Sequence, residues 1–194
     1  MALAHDGSQK SLEDFLAMAE SDPLHRYEYI DGQISMMTGG SPDHSIMCNN
    51  IGGILHNLLR QKPCRVYNSD VFVQLNATDC ICPDVSVSCD KRDRNARKTI
   101  QYPCLVVEVL SPGSRVRDRG LKADLYQNIP SVQEILLVDT QIARVQLYRR
   151  AEDSWILRNF AFDSTIELAS LHVSVPVTEI YEKTSFDEHA FDEE

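Results

Sequence analysis

Apolar residues recur with two different periods along the chain, and the period separates predicted helices from predicted strands. Residues 11–20 place their apolar side chains on one helical face behind Ser11, a favourable N-cap. Residues 41–61 repeat this spacing after Ser41 and Pro42, which together form a typical helix start. We therefore predict two helices in the N-terminal third of the chain.

Short runs rich in β-branched residues predict strands. Two such runs flank Asp31 and Gly32, a dipeptide typical of tight hairpin turns. Residues 104–110 and 134–139 are almost wholly apolar, as in strands buried on both faces, and residues 114–128 between them have helical periodicity. A strand, a helix and a second strand predict a parallel crossover. Further strands are predicted at residues 65–67, 71–75, 84–88, 144–148, 155–160 and 165–168, and a last helical turn at residues 179–183.

These elements predict an α/β fold in which helices flank a mixed β-sheet, with an additional antiparallel part near the C-terminus. We expect residues 1–185 to form a single domain, because no linker or repeat divides them. Residues 186–194 are acidic and are expected to form a disordered tail.

Charge is distributed unevenly along the sequence. The net charge of -10 disfavours a nucleic-acid partner when it is considered alone. Residues 91–122, however, hold nine basic and three acidic residues, a net +6, which leaves -16 for the remainder. This asymmetry can attract phosphates to one region, with the basic loop of residues 91–98 as a candidate contact. Charge alone favours a solvated loop and helix face.

The six cysteines are expected to be reduced and partly buried. The polar first ten residues lack the apolar stretch of a secretory signal, which argues against a disulfide framework. Cys80 and Cys82 lack the two-residue gap of common zinc sites. No apolar run is long enough to span a bilayer. We therefore expect a cytoplasmic protein with no membrane partner.

Two carboxylates interrupt predicted strands. Glu108 lies within an otherwise apolar strand, where a charge is costly unless it is paired, hydrogen-bonded or bound to a metal. The alternative is that Glu108 reaches water at the strand end. Asp84 begins another strand, and antiparallel pairing of the two strands would bring both carboxylates to one edge of the sheet. A hard cation such as Mg²⁺ would relieve the repulsion between them.

The helix that follows Glu108 brings cationic side chains toward this edge. One helical stripe, with spacing i, i+4, i+7 and i+11, consists of Arg115, Arg119, Lys122 and Tyr126. Lys122 lies at the margin of the buried face and could reach Glu108. Without further information, a surface pair between Lys122 and Asp118 explains the spacing as well.

The ordered series of these motifs resembles the PD-(D/E)XK phosphodiesterase pattern. It is closest to a bacterial family of restriction-endonuclease-like proteins of the Uma type, a domain of unknown function, and it spans about residues 13–171. The series consists of residues 27–32 (YEYIDG), His44, and residues 83–85 (PDV), 106–112 (VVEVLSP), 117–126 (RDRGLKADLY) and 136–139 (LLVD). The resemblance implies a restriction-endonuclease-like fold.

The resemblance also implies a site. The implied catalytic residues are Asp84, Glu108, Lys122 and Glu28. The implied ligands of Mg²⁺ or Mn²⁺ are Asp84, Glu108 and the carbonyl of Val109. Substrate contacts are expected from His44, Arg115, Arg119 and Tyr126. The lysine of this superfamily normally stands two residues after the second acid, where this chain has Leu110, so the resemblance implies that Lys122 has taken over that position.

The function that follows is divalent-metal-dependent endonucleolytic hydrolysis of phosphodiester bonds. We expect duplex DNA as the substrate and a homodimer as the active form, since cutting both strands requires two sites. Two alternatives stay open. One is a catalytically inactive nuclease-fold module that binds nucleic acid or regulates another protein. The other is a phosphoesterase that acts on small nucleotides.

Overall fold

The computed structural model describes residues 10–37, 39–112 and 118–185, apart from the side chains of residues 118 and 119. The helices are α1 (Leu12–Ser21), α2 (Pro42–Leu58), α3 (Ala123–Gln127) and α4 (Val177–Ile180), with a 3-10 helix at Lys91–Asn95 and a π-helical turn at Asp118–Lys122 that leads into α3. The first seven strands are β1 (Tyr27–Ile30), β2 (Gln33–Met36), β3 (Arg65–Asn68), β4 (Phe72–Gln74), β5 (Cys80–Ile81), β6 (Val85–Ser88) and β7 (Thr99–Ile100). The last six are β8 (Leu105–Leu110), β9 (Glu134–Asp139), β10 (Val145–Ala151), β11 (Ser154–Phe160), β12 (Thr165–Leu168) and β13 (Val173–Pro176).

Local sequence signals set the start of the N-terminal elements. Ser11 caps α1 in the predicted capping box, because its hydroxyl accepts from the amide of Asp14 while the Asp14 carboxylate accepts from the Ser11 amide. Ser41 caps α2. The turn between β1 and β2 places Asp31 and Gly32 at φ values of 52° and 71°, as a tight hairpin turn with two left-handed residues requires.

Strands of both orientations form the main sheet, in the order β11-β10-β9-β8-β6-β3. β8 and β9 are parallel, as the predicted crossover through α3 requires, whereas β6 is antiparallel to β8. A second sheet has the order β2-β1-β5-β4-β7, and β12 pairs with β13 in a separate antiparallel hairpin. The predicted α/β architecture, with its mixed sheet and antiparallel C-terminal part, is confirmed.

Apolar clusters cover both faces of the main sheet, which explains why β8 and β9 are almost wholly hydrophobic. On one face, Val107 packs in a cluster with residues of α2, the β12–β13 hairpin and α4. On the other face, Val106 and Leu137 pack in a cluster that includes Tyr126 of α3 and Val73 of the second sheet. This second cluster joins the two sheets and brings β1 close to the end of β8.

The expectation of reduced cysteines is wrong for one pair, because Cys64 and Cys89 form a disulfide. Arg65 of β3 pairs with Ser88 of β6, so the two cysteines that flank this pair lie directly opposite each other. The remaining thiols are free and partly or fully buried: Cys48, Cys80, Cys82 and Cys104.

Parts of two predicted segments lie outside the described residues. The predicted helix at residues 114–128 is affected because residues 113–117, which include Arg115, and the side chain of Arg119 lie outside them. The predicted tail at residues 186–194 lies wholly outside the described residues. The last helical turn is formed by Val177–Ile180, which begins two residues and ends three residues earlier than predicted. None of the helices that the structure describes has both the length and the apolar character needed to cross a bilayer.

Candidate active site

Strand register brings Asp84 and Glu108 together. Val85 of β6 stands opposite Val107 of β8 in an antiparallel pair, so Asp84, one residue earlier, faces the position of Glu108, one residue later. Both residues are buried, with 7% and 2% of their surface exposed. The meeting of these two acids at one sheet edge, predicted from antiparallel pairing, is therefore present.

The backbone of Val109 completes this edge. Its amide donates a hydrogen bond of 2.8 Å to Oδ2 of Asp84. The amide and carbonyl of a strand residue point to the same side of the strand. The carbonyl of Val109 is therefore directed toward the Asp84 side of β8, which suits the ligand position implied for it.

Lys122 contacts two carboxylates from different sheets. Its Nζ lies 3.3 Å from Oε1 of Glu108 and 2.6 Å from Oε1 of Glu28, which extends from β1. Lys122 is 3% exposed and Glu28 is 1% exposed. Lys122 is therefore buried, and the alternative of a surface ion pair with Asp118 does not apply to it. A π-helical turn ends at Lys122, and such turns often occur at functional sites.

Tyr126 lies behind Glu108. Its hydroxyl donates a 2.6 Å hydrogen bond to Oε1 of Glu108, the same oxygen that Lys122 contacts, and its side chain is fully buried. We predicted Tyr126 as a substrate contact. Its position favours a different contribution, which is to fix the orientation of the Glu108 carboxylate.

The described part of the cluster contains three buried carboxylates, Glu28, Asp84 and Glu108, and Lys122 contacts two of them. Buried charges are stable when they are paired or bound to a metal. Hard divalent cations prefer oxygen ligands of this kind, so the donor set fits Mg²⁺ or Mn²⁺.

His44 borders the cluster from the first turn of α2. Its Nε2 lies 3.2 Å from Oδ2 of Asp84, and Nδ1 lies 3.6 Å from Sγ of Cys48, one helical turn further on. Burial, followed by the negative charges of Asp84 and Glu108, raises the pKa of the Cys48 thiol. A neutral thiol can donate weakly to Nδ1, which leaves the ring proton on Nε2 facing Asp84.

Sequence reasoning missed Cys48, although its i+4 spacing from His44 places it on the same helical face. His44, Cys48 and Asp84 each offer a ligand atom within 4.8 Å of the others. Metal ions bind the thiolate and not the thiol. Hard cations such as Mg²⁺ prefer carboxylate oxygen, so the donor set of Asp84 and Glu108 suits this ion better than the mixed group does.

The basic loop of residues 91–98 does not border this site. It follows the C-terminal end of β6, whereas Asp84 precedes the N-terminal end, about 13 Å away along the strand. Arg92 is bound to Asp90 there, and buried Asp93 accepts hydrogen bonds from the backbone amide of Tyr102. Some charged residues of this loop therefore stabilise the loop itself.

Comparison with known proteins identifies a family. The model of the Uma2 family, described as "Putative restriction endonuclease", matches residues 12–178. An uncharacterized protein of Synechocystis sp. is 40% identical over 178 residues, covering 91% of this chain and 93% of that protein. A second uncharacterized protein of the same organism is 28% identical over 142 residues, covering 71% and 80%.

A solved structure has the same fold. It is the crystal structure of "a putative nuclease belonging to DUF820" from Anabaena variabilis, which superimposes with a TM-score of 0.72. The match covers 89% of this chain and 97% of that one at 18% identity. At this level of identity the match supports the architecture of the two sheets and does not by itself assign the residues of the site.

Proposed function

This chain belongs to the Uma2 family of restriction-endonuclease-like proteins, and we propose that it is a divalent-metal-dependent endonuclease that hydrolyses phosphodiester bonds of DNA. One observation carries the proposal. The amine of Lys122 lies between the carboxylates of Glu28 and Glu108, beside the edge of the sheet where Asp84 meets Glu108. Carboxylates that can hold a divalent ion, with an amine beside them that can stabilise negative charge, suit the hydrolysis of a phosphodiester.

Mg²⁺ or Mn²⁺ would be held by Asp84, Glu108 and the carbonyl of Val109, with Glu28 contributing directly or through water. When bound, such an ion polarises the scissile phosphate and lowers the pKa of a coordinated water. Its positive charge would also stabilise the buried carboxylates of Asp84 and Glu108.

The side chains of the protein supply position and charge. Lys122 places a cation next to the carboxylates, where it stabilises negative charge that develops on the phosphate. Glu28 holds the amine of Lys122 at 2.6 Å, and Tyr126 holds the carboxylate of Glu108 at 2.6 Å. His44 contacts Asp84 from α2, and we expect it to contact the substrate there. Arg115 and Arg119 stay predictions as phosphate contacts.

The proposed substrate is duplex DNA and the proposed active form is a homodimer. The edge strand β11 supports the homodimer, because the apolar residues Ile156 and Leu157 of this strand are 46% and 44% exposed. An unpaired edge with apolar side chains is a common surface for self-association.

A cleavage assay tests the proposal. Plasmid DNA is incubated with the parent protein and with Asp84→Asn and Glu108→Gln in Mg²⁺, in Mn²⁺ and in EDTA. We expect cleavage by the parent in either metal, none in EDTA, and a loss of about 10²-fold or more in both variants. Glu134→Gln is the matched control, because Glu134 is equally buried and lies at the opposite end of the sheet.

Two results would contradict the proposal. The first is a parent protein that cleaves no DNA in either metal. The second is cleavage by Glu108→Gln at the rate of the parent. Binding of Mn²⁺ and DNA without cleavage would support the alternative of an inactive nuclease-fold module.

A further inference from the structure

A cleft of about 720 Å³ opens beside Asp84, between α2 and β3. Polar and small residues line it, including Ser45, Asn49 and Gly52 on α2 and Asn68 on β3. Its volume lies within the range of about 300–1,000 Å³ that is typical of small-molecule sites. The cleft therefore has room for a small ligand with one or two ring systems and is too small to enclose a duplex.

Asp84 connects this cleft to the proposed active site. Among the described residues that line the cleft, Asp84 and His44 also belong to the site, whereas Glu28, Glu108 and Lys122 are buried and are not among the lining residues. A phosphate held at Asp84 would therefore have one of its two flanking nucleosides at the mouth of the cleft.

The helical wall of the cleft carries two glycines near the middle of α2. A Cβ atom built on Gly52 or on Gly53 meets nothing within 4 Å, and neither residue has a left-handed φ. Glycine weakens a helix interior, and here neither close packing nor backbone conformation requires it. The glycines leave a flat surface beside Asp84 on which a planar ring can lie.

The charges of the cleft suit one phosphate. Arg26 carries the one fixed positive charge among the described residues that line it, and Asp84 carries a negative charge. Arg26 therefore offers a partner for one phosphate beside a nucleoside.

We propose, on the basis of the nuclease function above, that this cleft binds one unstacked nucleoside next to the scissile phosphate. Pulling a base out of a paired stack requires a few kcal/mol, and least for a base that is already unpaired. This narrows the duplex DNA substrate proposed above to a duplex with an unpaired nucleotide at the cut, in a bulge or a mismatch, and it predicts that single-stranded DNA binds as well.

Fluorescence anisotropy tests this proposal with three labelled DNA probes of one sequence: a single strand, a fully paired duplex, and a duplex with one unpaired nucleotide. Binding is measured in Ca²⁺, a hard cation that carboxylate sites accept. We expect the parent to bind the single strand and the bulged duplex at least tenfold more tightly than the paired duplex. Equal affinities, or no binding of any probe, would overturn the proposal.

Blocking variants identify the cleft as the place of binding. Gly52→Phe fills the cleft without displacing any atom near its Cβ, and we expect it to reduce binding of the unpaired probes at least tenfold. Gly53→Phe provides a second blocking variant if the first does not fold. Asn57→Phe is the control, because Asn57 is exposed on α2 and does not line the cleft. A blocked cleft with unchanged binding would contradict the proposal.

The cleavage assay separates the two proposals. A parent that cleaves paired DNA, with Gly52→Phe cleaving it equally well, would overturn the cleft proposal and leave the nuclease proposal standing. A parent that prefers unpaired probes but cleaves none of them would support the cleft and contradict the nuclease.

Discussion

Two buried glutamates on neighbouring parallel strands show what separates a structural end of the sheet from the candidate site. Glu134 begins β9, and Glu108 lies near the end of β8. Arg149 binds Glu134 at 2.8 Å, and the hydroxyl and amide of Ser170 and the amide of Ala169 donate to the same carboxylate. One cation and three neutral donors thus satisfy one acid.

The environment of Glu108 is different. Tyr126 and Lys122 both contact its Oε1. Lys122 also contacts Glu28, and Asp84 lies opposite Glu108 on the neighbouring strand. Burial alone does not distinguish the two glutamates, since they are 1% and 2% exposed. The difference lies in their neighbours, because Glu134 is bound by an arginine and neutral donors, whereas Glu108 lies beside two further buried carboxylates, Glu28 and Asp84. Carboxylates grouped in this way are the ligands that a hard divalent cation prefers.

The largest effect should come from Lys122→Met. This change removes the cation and leaves Glu28 and Glu108 buried together, and breaking a buried pair in this way typically lowers the free energy of unfolding by about 3–5 kcal/mol. Urea unfolding in EDTA measures the loss. Because Mn²⁺ would replace the missing charge, its addition should recover at least about 1–2 kcal/mol. A small loss, or no recovery with Mn²⁺, would contradict a divalent-cation site at these carboxylates.

Glu134→Ala tests whether metal binding is specific to the end of the sheet that holds Glu108. The free energy of unfolding should fall by about 3 kcal/mol, because the donors of Ser170 and Ala169 lose their acceptor and Arg149 loses its partner. Mn²⁺ should not restore this loss, and the DNA cleavage rate of the folded fraction should match that of the parent. Recovery by Mn²⁺ would show that metal binding does not discriminate between the two ends of the sheet.

Tyr126→Phe should give the smallest effect. It removes one hydrogen bond to the charged Glu108, a loss of about 1.5–3 kcal/mol at most. We expect the cleavage rate constant to fall about tenfold while the apparent affinity for DNA changes little, because Tyr126 is fully buried behind the acid. A large loss of affinity with an unchanged rate constant would instead support the substrate contact that we predicted from the sequence.

Much of the fold follows from local signals. The capping box of Ser11 and Asp14 and the turn at Asp31 and Gly32 depend on residues a few positions apart, so the sequence predicts them directly. The two-residue strands β5 and β7 have no such signal, because they become strands by pairing with distant segments: β5 with β1 and β4, and β7 with β4. The disulfide of Cys64 and Cys89 likewise depends on the register of β3 against β6.

Some contacts of the candidate site also follow from local sequence patterns, and others depend on tertiary packing. The proximity of Asp84 and Glu108 follows from one antiparallel pairing, which the strand pattern predicts. The contact between Lys122 and Glu28 joins the helix after β8 to a strand of the second sheet, and no periodicity encodes that packing. Glu28 was therefore implied only by the family resemblance. The contact between His44 and Asp84 was likewise visible only in the structure.

Titration calorimetry with Mn²⁺ tests the central claim most directly, which is that the acids around Lys122 hold a divalent cation. The account predicts that the parent and Glu134→Gln bind one ion with similar affinity, and that Glu108→Gln and Asp84→Asn lose this binding. A parent that binds no ion, or a Glu108→Gln variant that binds it as tightly as the parent, would contradict it.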